Sequence, residues 1–290
     1  MSKIIYWITV VSRGYSAPMS IINWLVAFVY IIKMFAQANV LYGILALIAI
    51  VLAHLGTNLF DDFIDDFTNT PKQECKTRYL KEGFTTIKSV FIASITCFLL
   101  TILIGIFFVI KIGTIVLIPA IITGVIILLY PKLNNFALGE VAVGLCFGIL
   151  MFIGISVVMI GRTDINTVLI SVPVSILTSA VVFCHSIMDY EFDKKSKKNT
   201  LSVLLGKNNS LILLMIFYFS ALIITLIFAK TGVMPRGILI SIFIIPFLTK
   251  LYKQLKNYNS KEKSEFMKNF ILARNISLFY NIALVALWLI

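Results

Sequence analysis

Charge is scarce in this 290-residue chain: Asp, Glu, Lys and Arg together make up 13% of it, against about 25% in a soluble domain. Hydrophobic residues reach 60% and the mean hydropathy is +1.00, so an ordinary soluble enzyme and a disordered chain are both excluded. Cysteine is sparse too. Cys75, Cys97, Cys146 and Cys184 form no Cys-x-x-Cys pair, which argues against zinc ligation and a disulfide framework. Acids are the rarer charge, 13 against 25 Lys and Arg, for a net charge of +12. No basic patch interleaved with aromatics accompanies that excess, so it reads as loop cations facing an anionic leaflet, with the lipid bilayer and not nucleic acid as the partner. No obligate protein partner is evident.

What is abundant is apolar sequence in runs of 18 or more residues, each long enough to cross about 30 Å of hydrocarbon as a helix. Nine such runs are centred on residues 18–36, 39–60, 87–109, 113–130, 138–160, 167–188, 209–229, 234–252 and 270–290. The fold class is therefore all-α, a polytopic membrane protein of nine transmembrane helices forming a single domain over 1–290. The opening stretch, an apolar run interrupted by Arg13, reads as an interfacial lead-in to the first span. With a cytoplasmic N-terminus, only Lys33, Lys111, Arg162, Lys230 and Arg236 of the 25 basic residues fall outside. That is a positive-inside bias.

Seven of the 13 acids crowd into two short segments: Asp61, Asp62, Asp65 and Asp66, then Asp189, Glu191 and Asp193. Both follow an even-numbered span, at the cytoplasmic face. Packed carboxylates repel unless a cation binds them, so the pattern points to a divalent metal. Asn58, Asp62 and Asp66 recur every four residues and stack along one helix face, as do His185, Asp189 and Asp193. Hard oxygen donors of this kind suit Mg²⁺, which shares its shell readily with phosphate. Asp65 is the alternate to Asp66 as the third ligand, and His185 is either a ligand or a hydrogen-bonded helix-end histidine.

The two ladders superpose at a constant offset of 127 residues with four spans between them. This predicts a parallel four-helix internal repeat around a central cavity, with both ladders at one membrane face. It differs from the inverted repeat of many secondary transporters, whose charged sites lie near the midplane. Cations follow each ladder: Lys72, Lys76, Arg78 and Lys81, then Lys194, Lys195, Lys197 and Lys198. Acids plus adjacent cations can take a diphosphate through bridging metal.

At these residues the sequence resembles the UbiA superfamily of intramembrane prenyltransferases, whose motifs are Asn-x-x-x-Asp-x-x-x-Asp (here Asn58, Asp62, Asp66) and Asp-x-x-x-Asp (here Asp189, Asp193). RYLKEG from Arg78 and KNTLSVLLG from Lys198 are similar to the segments after each motif. ALGEVAVGLCFGILMFIG, from Ala137 to Gly154, is most similar to the 1,4-dihydroxy-2-naphthoate polyprenyltransferase branch. Four positions depart from that branch: His185 and Met188 replace a common Asn and Arg, Lys197 a Gly, and Asp61 an Asn. In the same segment Gly144 and Gly148 form a Gly-x-x-x-Gly packing pair. Glu140 opens an apolar helix and either complements the helix dipole or meets substrate.

The resemblance implies a Mg²⁺-dependent transferase of a bacterial cell membrane, its active site facing the cytoplasm. Its substrates would be a polyprenyl diphosphate and a small aromatic acceptor, 1,4-dihydroxy-2-naphthoate in menaquinone biosynthesis. The expected catalytic and metal residues are Asp62, Asp66, Asp189 and Asp193, with Asn58 and the alternate Asp65. The expected substrate contacts are Asn58, Arg78, Lys132, Lys198, Glu140 and His185. Alternatives are the same chemistry on 4-hydroxybenzoate, homogentisate, a tetrapyrrole or a glyceryl phosphate, and, in another class, an ion transporter.

Overall fold

The computed structural model describes residues 3–67, 78–258 and 263–290. Lys72, Cys75, Lys76 and Lys261 lie outside the described residues, as do the side chains of Arg78, Lys81 and Lys263. Among the described residues there is no strand, and nine helices are long and apolar enough to cross a membrane. They are Gly14–Met34, Val40–Phe67, Ile87–Ile112, Thr114–Asn135, Gly139–Ile160, Ile165–Met188, Leu201–Thr231, Arg236–Lys256 and Glu265–Leu289.

The one boundary that matters for function is the end of the second span. Hydropathy stops it near residue 60, where charge begins, yet the helix runs on to Phe67. Intrahelical hydrogen bonds need no apolar side chains, so the helix simply emerges from the hydrocarbon. Asp61, Asp62, Asp65 and Asp66 are consequently on the span itself. The sixth span, by contrast, ends at Met188; Asp189 caps it and a short helix, Tyr190–Lys195, follows.

Burial separates inner from outer spans. Of the apolar stretch, 67% is buried in the sixth span and 11% in the third and fourth. The outer pair presents Ile102, Leu103, Ile110, Ile118, Ile121 and Leu128 outward, an apolar surface that lipid must cover. The second and third spans make the heaviest inter-helix contact, followed by the sixth and seventh, the same pairing four spans on. The first and ninth spans run parallel in a constant register. Arg274 Nη1 donates to Tyr15 O at 3.1 Å, Asn281 Nδ2 to Asn23 Oδ1 at 3.0 Å, and the Tyr30 and Trp288 rings lie 5.1 Å apart. Parallel first and ninth helices are what an odd number of crossings requires.

Ahead of the first span, a helical turn (Lys3–Tyr6) and a π-turn (Trp7–Val11) fold back over the acid end of the second span. Val11 is buried with Leu59, Tyr79 and Val90 in a small separate cluster, and the Tyr6 and Phe84 rings lie 4.2 Å apart. Arg13, left-handed at φ 53°, turns the chain from this lead-in into the membrane.

Candidate active site

A cavity of about 110 Å³, room for several waters, opens where the ends of the second, fourth, fifth and sixth spans meet. Its polar lining is Arg13, Asp61, Asp65, Tyr130, Asn134, Glu140, His185, Ser186, Asp189, Asp193, Lys198 and Thr200. Four carboxylates from the two acid segments therefore converge on one space. Lys198 Nζ lies 3.9 Å from Asp65 Oδ1, linking the segments directly.

The first segment meets the cavity through a different helix face from the one expected. Asp61 and Asp65 line it; Asn58, Asp62 and Asp66 do not. One residue along a helix is a rotation of about 100°, so the two ladders present different faces. Asp62, 2% exposed, accepts from Arg13 Nη2 and from the Tyr79 hydroxyl at 2.6 Å. Asn58 Nδ2 donates to Ser12 O at 3.0 Å, and Asp66 is exposed. The 58–62 face thus fastens the lead-in to the second span. In the cavity frame, Asp61 and Asp65 correspond to Asp189 and Asp193 at an offset of 128 residues in place of 127.

The second segment behaves as its spacing suggests. Asp193 N donates to Asp189 O at 2.9 Å, so the four-residue step survives the helix break. His185 Nδ1 lies 3.2 Å from Asp189 Oδ2, with its ring edge-on to Phe266. Thr200 Oγ1 donates to Asp193 Oδ2 at 3.2 Å, and Lys198 N to Asp193 O at 3.0 Å. The loop after the sixth span is tied back in this way, aiming Lys198 at the site.

Lys132 is exposed and does not line the cavity; Tyr130 and Asn134 of the same helix do. Positions 130 and 134 share a face, while 132 sits about 200° round from 130. Hydropathy and charge alone gave no reason to select Tyr130, Asn134, Ser186 or Thr200. Arg13 did carry a signal, as a lone charge inside an apolar lead-in. Its guanidinium pairs with Asp62 and with Asp61 at 3.3 Å. Burial by itself would lower its pKa, but the Asp62 and Asp61 carboxylates reverse this and hold it well above the ordinary value.

Glu140 is placed by a tight turn. The fourth span ends with Leu138 N bonded to Leu133 O at 2.9 Å and Ala137 left-handed at φ 59°, a glycine-like cap made by alanine. Gly139 follows so closely that an added Cβ would lie 2.5 Å from Asn134 Oδ1. Ser179 Oγ then donates to Glu140 O at 2.9 Å. Glu140 is 1% exposed and, among the described residues, neither carboxyl oxygen has a partner in hydrogen-bond geometry. A helix N-terminus contributes about 0.3–1 kcal/mol to a nearby acid. Leaving a buried polar group unsatisfied costs about 1–3 kcal/mol, more if it is charged. The dipole therefore does not account for Glu140.

Residues 18–281 match the UbiA prenyltransferase family. The chain belongs to that family. It is 32% identical over 76 residues to 1,4-dihydroxy-2-naphthoate octaprenyltransferase of Bacillus subtilis (strain 168), a match spanning 26% of this chain and 24% of that protein. Its fold is similar to that of a UbiA homolog from Archaeoglobus fulgidus bound to GPP and Mg²⁺, with TM-score 0.66 and 14% identity over 96% of this chain and 99% of the other. A UbiA homolog from Aeropyrum pernix K1 gives TM-score 0.68 at 16% identity, over 92% and 96%.

Among the described residues, no three His, Cys, Asp or Glu side chains converge tightly enough to hold an ion by themselves. The UbiA-family cavity offers instead two pairs of carboxylates on separate walls. That donor set fits Mg²⁺, which takes one or two carboxylates and completes its shell with water and phosphate oxygens.

Proposed function

We propose that this protein transfers a polyprenyl group from a polyprenyl diphosphate to 1,4-dihydroxy-2-naphthoate, with Mg²⁺ held by Asp61, Asp65, Asp189 and Asp193. One observation carries the reading: two carboxylate pairs from separate acid segments line one cavity, with the cations Arg13 and Lys198 beside them. Bound there, Mg²⁺ would supply charge neutralisation to the departing diphosphate. Lys198 reaches from the second segment to within 3.9 Å of Asp65 and adds positive charge where the leaving group gains negative charge. Arg13, fixed by its two carboxylate partners, holds the Asp61 side of the cavity in place and keeps a permanent cation at its edge.

Beyond the cavity the sixth span continues into the packed core, where Val174, Leu177, Ala180, Val181 and Phe183 are buried beside the polar Ser175 and Thr178. A core of this kind limits the water that can reach an allylic cation, and the apolar outer face of the third and fourth spans suits a protein whose donor is carried in lipid. The naphthoate acceptor is supported by the Ala137–Gly154 segment and by the partial likeness to the Bacillus subtilis protein. A bacterial cell membrane is supported by the partial likeness to the Bacillus subtilis protein, and a cavity facing the cytoplasm by charge. With the observed span ends, Lys33, Lys111, Arg162, Lys230 and Arg236 still sit at the face opposite the acids.

The test is to incubate purified protein with Mg²⁺, a labelled polyprenyl diphosphate and a panel of aromatic and glyceryl phosphate acceptors, identifying products by mass. The expected product is a demethylmenaquinol formed with loss of CO₂. Prenylation of 4-hydroxybenzoate or another acceptor with the naphthoate inert would replace the acceptor and keep the chemistry.

A further inference from the structure

We propose that Glu140 is the acceptor-binding catalytic residue of this chain: its buried carboxyl receives the hydroxyl beside the reacting ring carbon and takes that proton as the ring attacks. The inference rests on the prenyl-transfer reading of the cavity and adds where the acceptor binds and what it must carry.

Several observations converge on it. Glu140 lines the same cavity as the four aspartates yet comes from a different element, the start of the fifth span. Among the described residues its two oxygens are buried and no donor meets them in hydrogen-bond geometry, the closest being its own backbone and the Ser186 hydroxyl. The nearby Ser186 hydroxyl is directed elsewhere, to Ser202 Oγ at 3.0 Å, and Ser202 in turn to Ser186 O at 2.9 Å. A carboxyl held so rigidly, with its backbone pinned by Ser179 and its turn closed against Asn134, asks for a donor from outside the chain. The aspartates stand with Arg13, Lys198 and Thr200, a set made for phosphate and metal. Glu140 stands with Tyr130, Asn134 and Ser186, neutral groups suited to a hydroxylated ring.

The chemistry balances without any oxidant. The C–O bond to diphosphate breaks with its electron pair on the leaving group, and a ring π pair forms the new C–C bond at C1 of the prenyl chain. The O–H proton of the adjacent hydroxyl passes to Glu140 and the ring oxygen becomes a carbonyl. That carbonyl lies β to the carboxylate on the substituted carbon, so CO₂ departs, leaving its bonding pair in the ring. Glu140 then returns the proton to the oxygen. The proton is borrowed, and the acceptor must carry a hydroxyl next to the carbon that is alkylated.

The experiment compares wild type with Glu140→Gln and Glu140→Asp, using Mg²⁺, a polyprenyl diphosphate, and as acceptors 1,4-dihydroxy-2-naphthoate and its 1-O-methyl ether. A positioned general base contributes roughly 10²–10⁴-fold. Glu140→Gln should lower kcat with the naphthoate by about 100-fold or more, while KM for the prenyl diphosphate, and its binding measured by calorimetry without acceptor, change less than about 2-fold. Glu140→Asp should recover part of the rate. Wild type should turn over the methyl ether at a small fraction of the naphthoate rate, and this arm needs no variant to fold. Equal turnover of ether and naphthoate by wild type, or an unchanged kcat in Glu140→Gln, would overturn the assignment to Glu140 and leave prenyl transfer standing. Loss of prenyl diphosphate binding in Glu140→Gln would overturn it by moving Glu140 to the donor side. A wild type that prenylates no phenol at all would instead remove the reading on which this one rests.

Discussion

Arg13 and Asp62 form a largely buried ion pair that joins the lead-in segment to the second span, and Tyr79 completes it from the far side of the loop. Three stretches distant in sequence are thus fastened at one carboxylate, beside the cavity and outside its lining. Removing Asp62 leaves Arg13 with Asp61 as its remaining partner and the Tyr79 hydroxyl without its acceptor, so the cost falls below the ~3–5 kcal/mol of a buried charge left wholly unpaired. Asp62→Asn and Asp62→Ala should therefore lower the unfolding midpoint in detergent. A midpoint like that of wild type would show that the lead-in is not held this way.

Asp61 and Asp65 should separate cleanly from Asp62. Each faces the cavity and lies within reach of a cation, Arg13 at 3.3 Å and Lys198 at 3.9 Å respectively. Asp61→Asn and Asp65→Asn keep the shape and remove the charge, so folding should survive. Prenyl transfer should fall by roughly 100-fold or more in each, about 2.7 kcal/mol of barrier. Exposed Asp66→Asn should cost far less, and excess EDTA should abolish wild-type turnover. If Asp66→Asn were the crippling variant, the cavity frame would be the wrong one.

The sequence carries the span count, the orientation of the charges and the two acid clusters, because hydropathy and clustering are properties of single segments. Which of four adjacent aspartates faces the site is not such a property. Two interleaved ladders, 58–62–66 and 61–65, are both periodic at four residues, and only the packing of Arg13 and Tyr79 against one of them sets the rotation of the helix. Lys132 misleads for a related reason: charge marks the end of a helix, whereas its neighbours Tyr130 and Asn134 share the inward face. Glu140 was ambiguous in sequence because a helix-start acid is commonplace. Its burial with no hydrogen-bond partner among the described residues distinguishes it.

Tyr79 gives a pH dependence with a definite sign. Burial, and next the Asp62 carboxylate beside it, raise its pKa above the ordinary 10.0. The neutral phenol's contribution is therefore complete below about pH 10 and is lost as pH rises, because the unfolded chain ionises first. Below pH 10, Tyr79→Phe should cost about 1–3 kcal/mol by leaving an Asp62 oxygen short of a donor. Above it the gap between wild type and variant should narrow by up to about 1.4 kcal/mol per pH unit. Chemical denaturation at pH 8 and pH 11 reads this directly; a gap that widened would reverse the assignment.

Membrane orientation is open to thiol labelling. Cys97, Cys146 and Cys184 lie within spans, while Cys75, outside the described residues, falls in the sequence between the second and third spans. A membrane-impermeant maleimide should label Cys75 in inverted vesicles and leave it unmodified in intact cells. The opposite pattern would invert the topology and put the cavity outside.

The fifth and sixth spans meet through Gly144 and Gly148, and the contact leaves no space for a larger residue. An added Cβ at Gly148 would lie 2.4 Å from Ser175 Cβ and 2.6 Å from its Cα. At Gly144 it would meet the Ser179 hydroxyl at 2.1 Å and the Ser175 carbonyl oxygen at 3.1 Å. The close approach also permits Ser175 Oγ to donate to Gly144 O at 2.8 Å and Ser179 Oγ to Glu140 O at 2.9 Å. Helix packing in lipid depends on such contact, since no hydrophobic effect drives apolar helices together there. Gly148→Val should therefore force the spans apart, displace Glu140 from the cavity and lower both folded yield and naphthoate turnover. Gly154→Ala, six residues further along the same span, meets nothing within 4 Å and should leave both unchanged. Equal behaviour of the two variants would mean that the glycine pair is not what sets the distance between these helices.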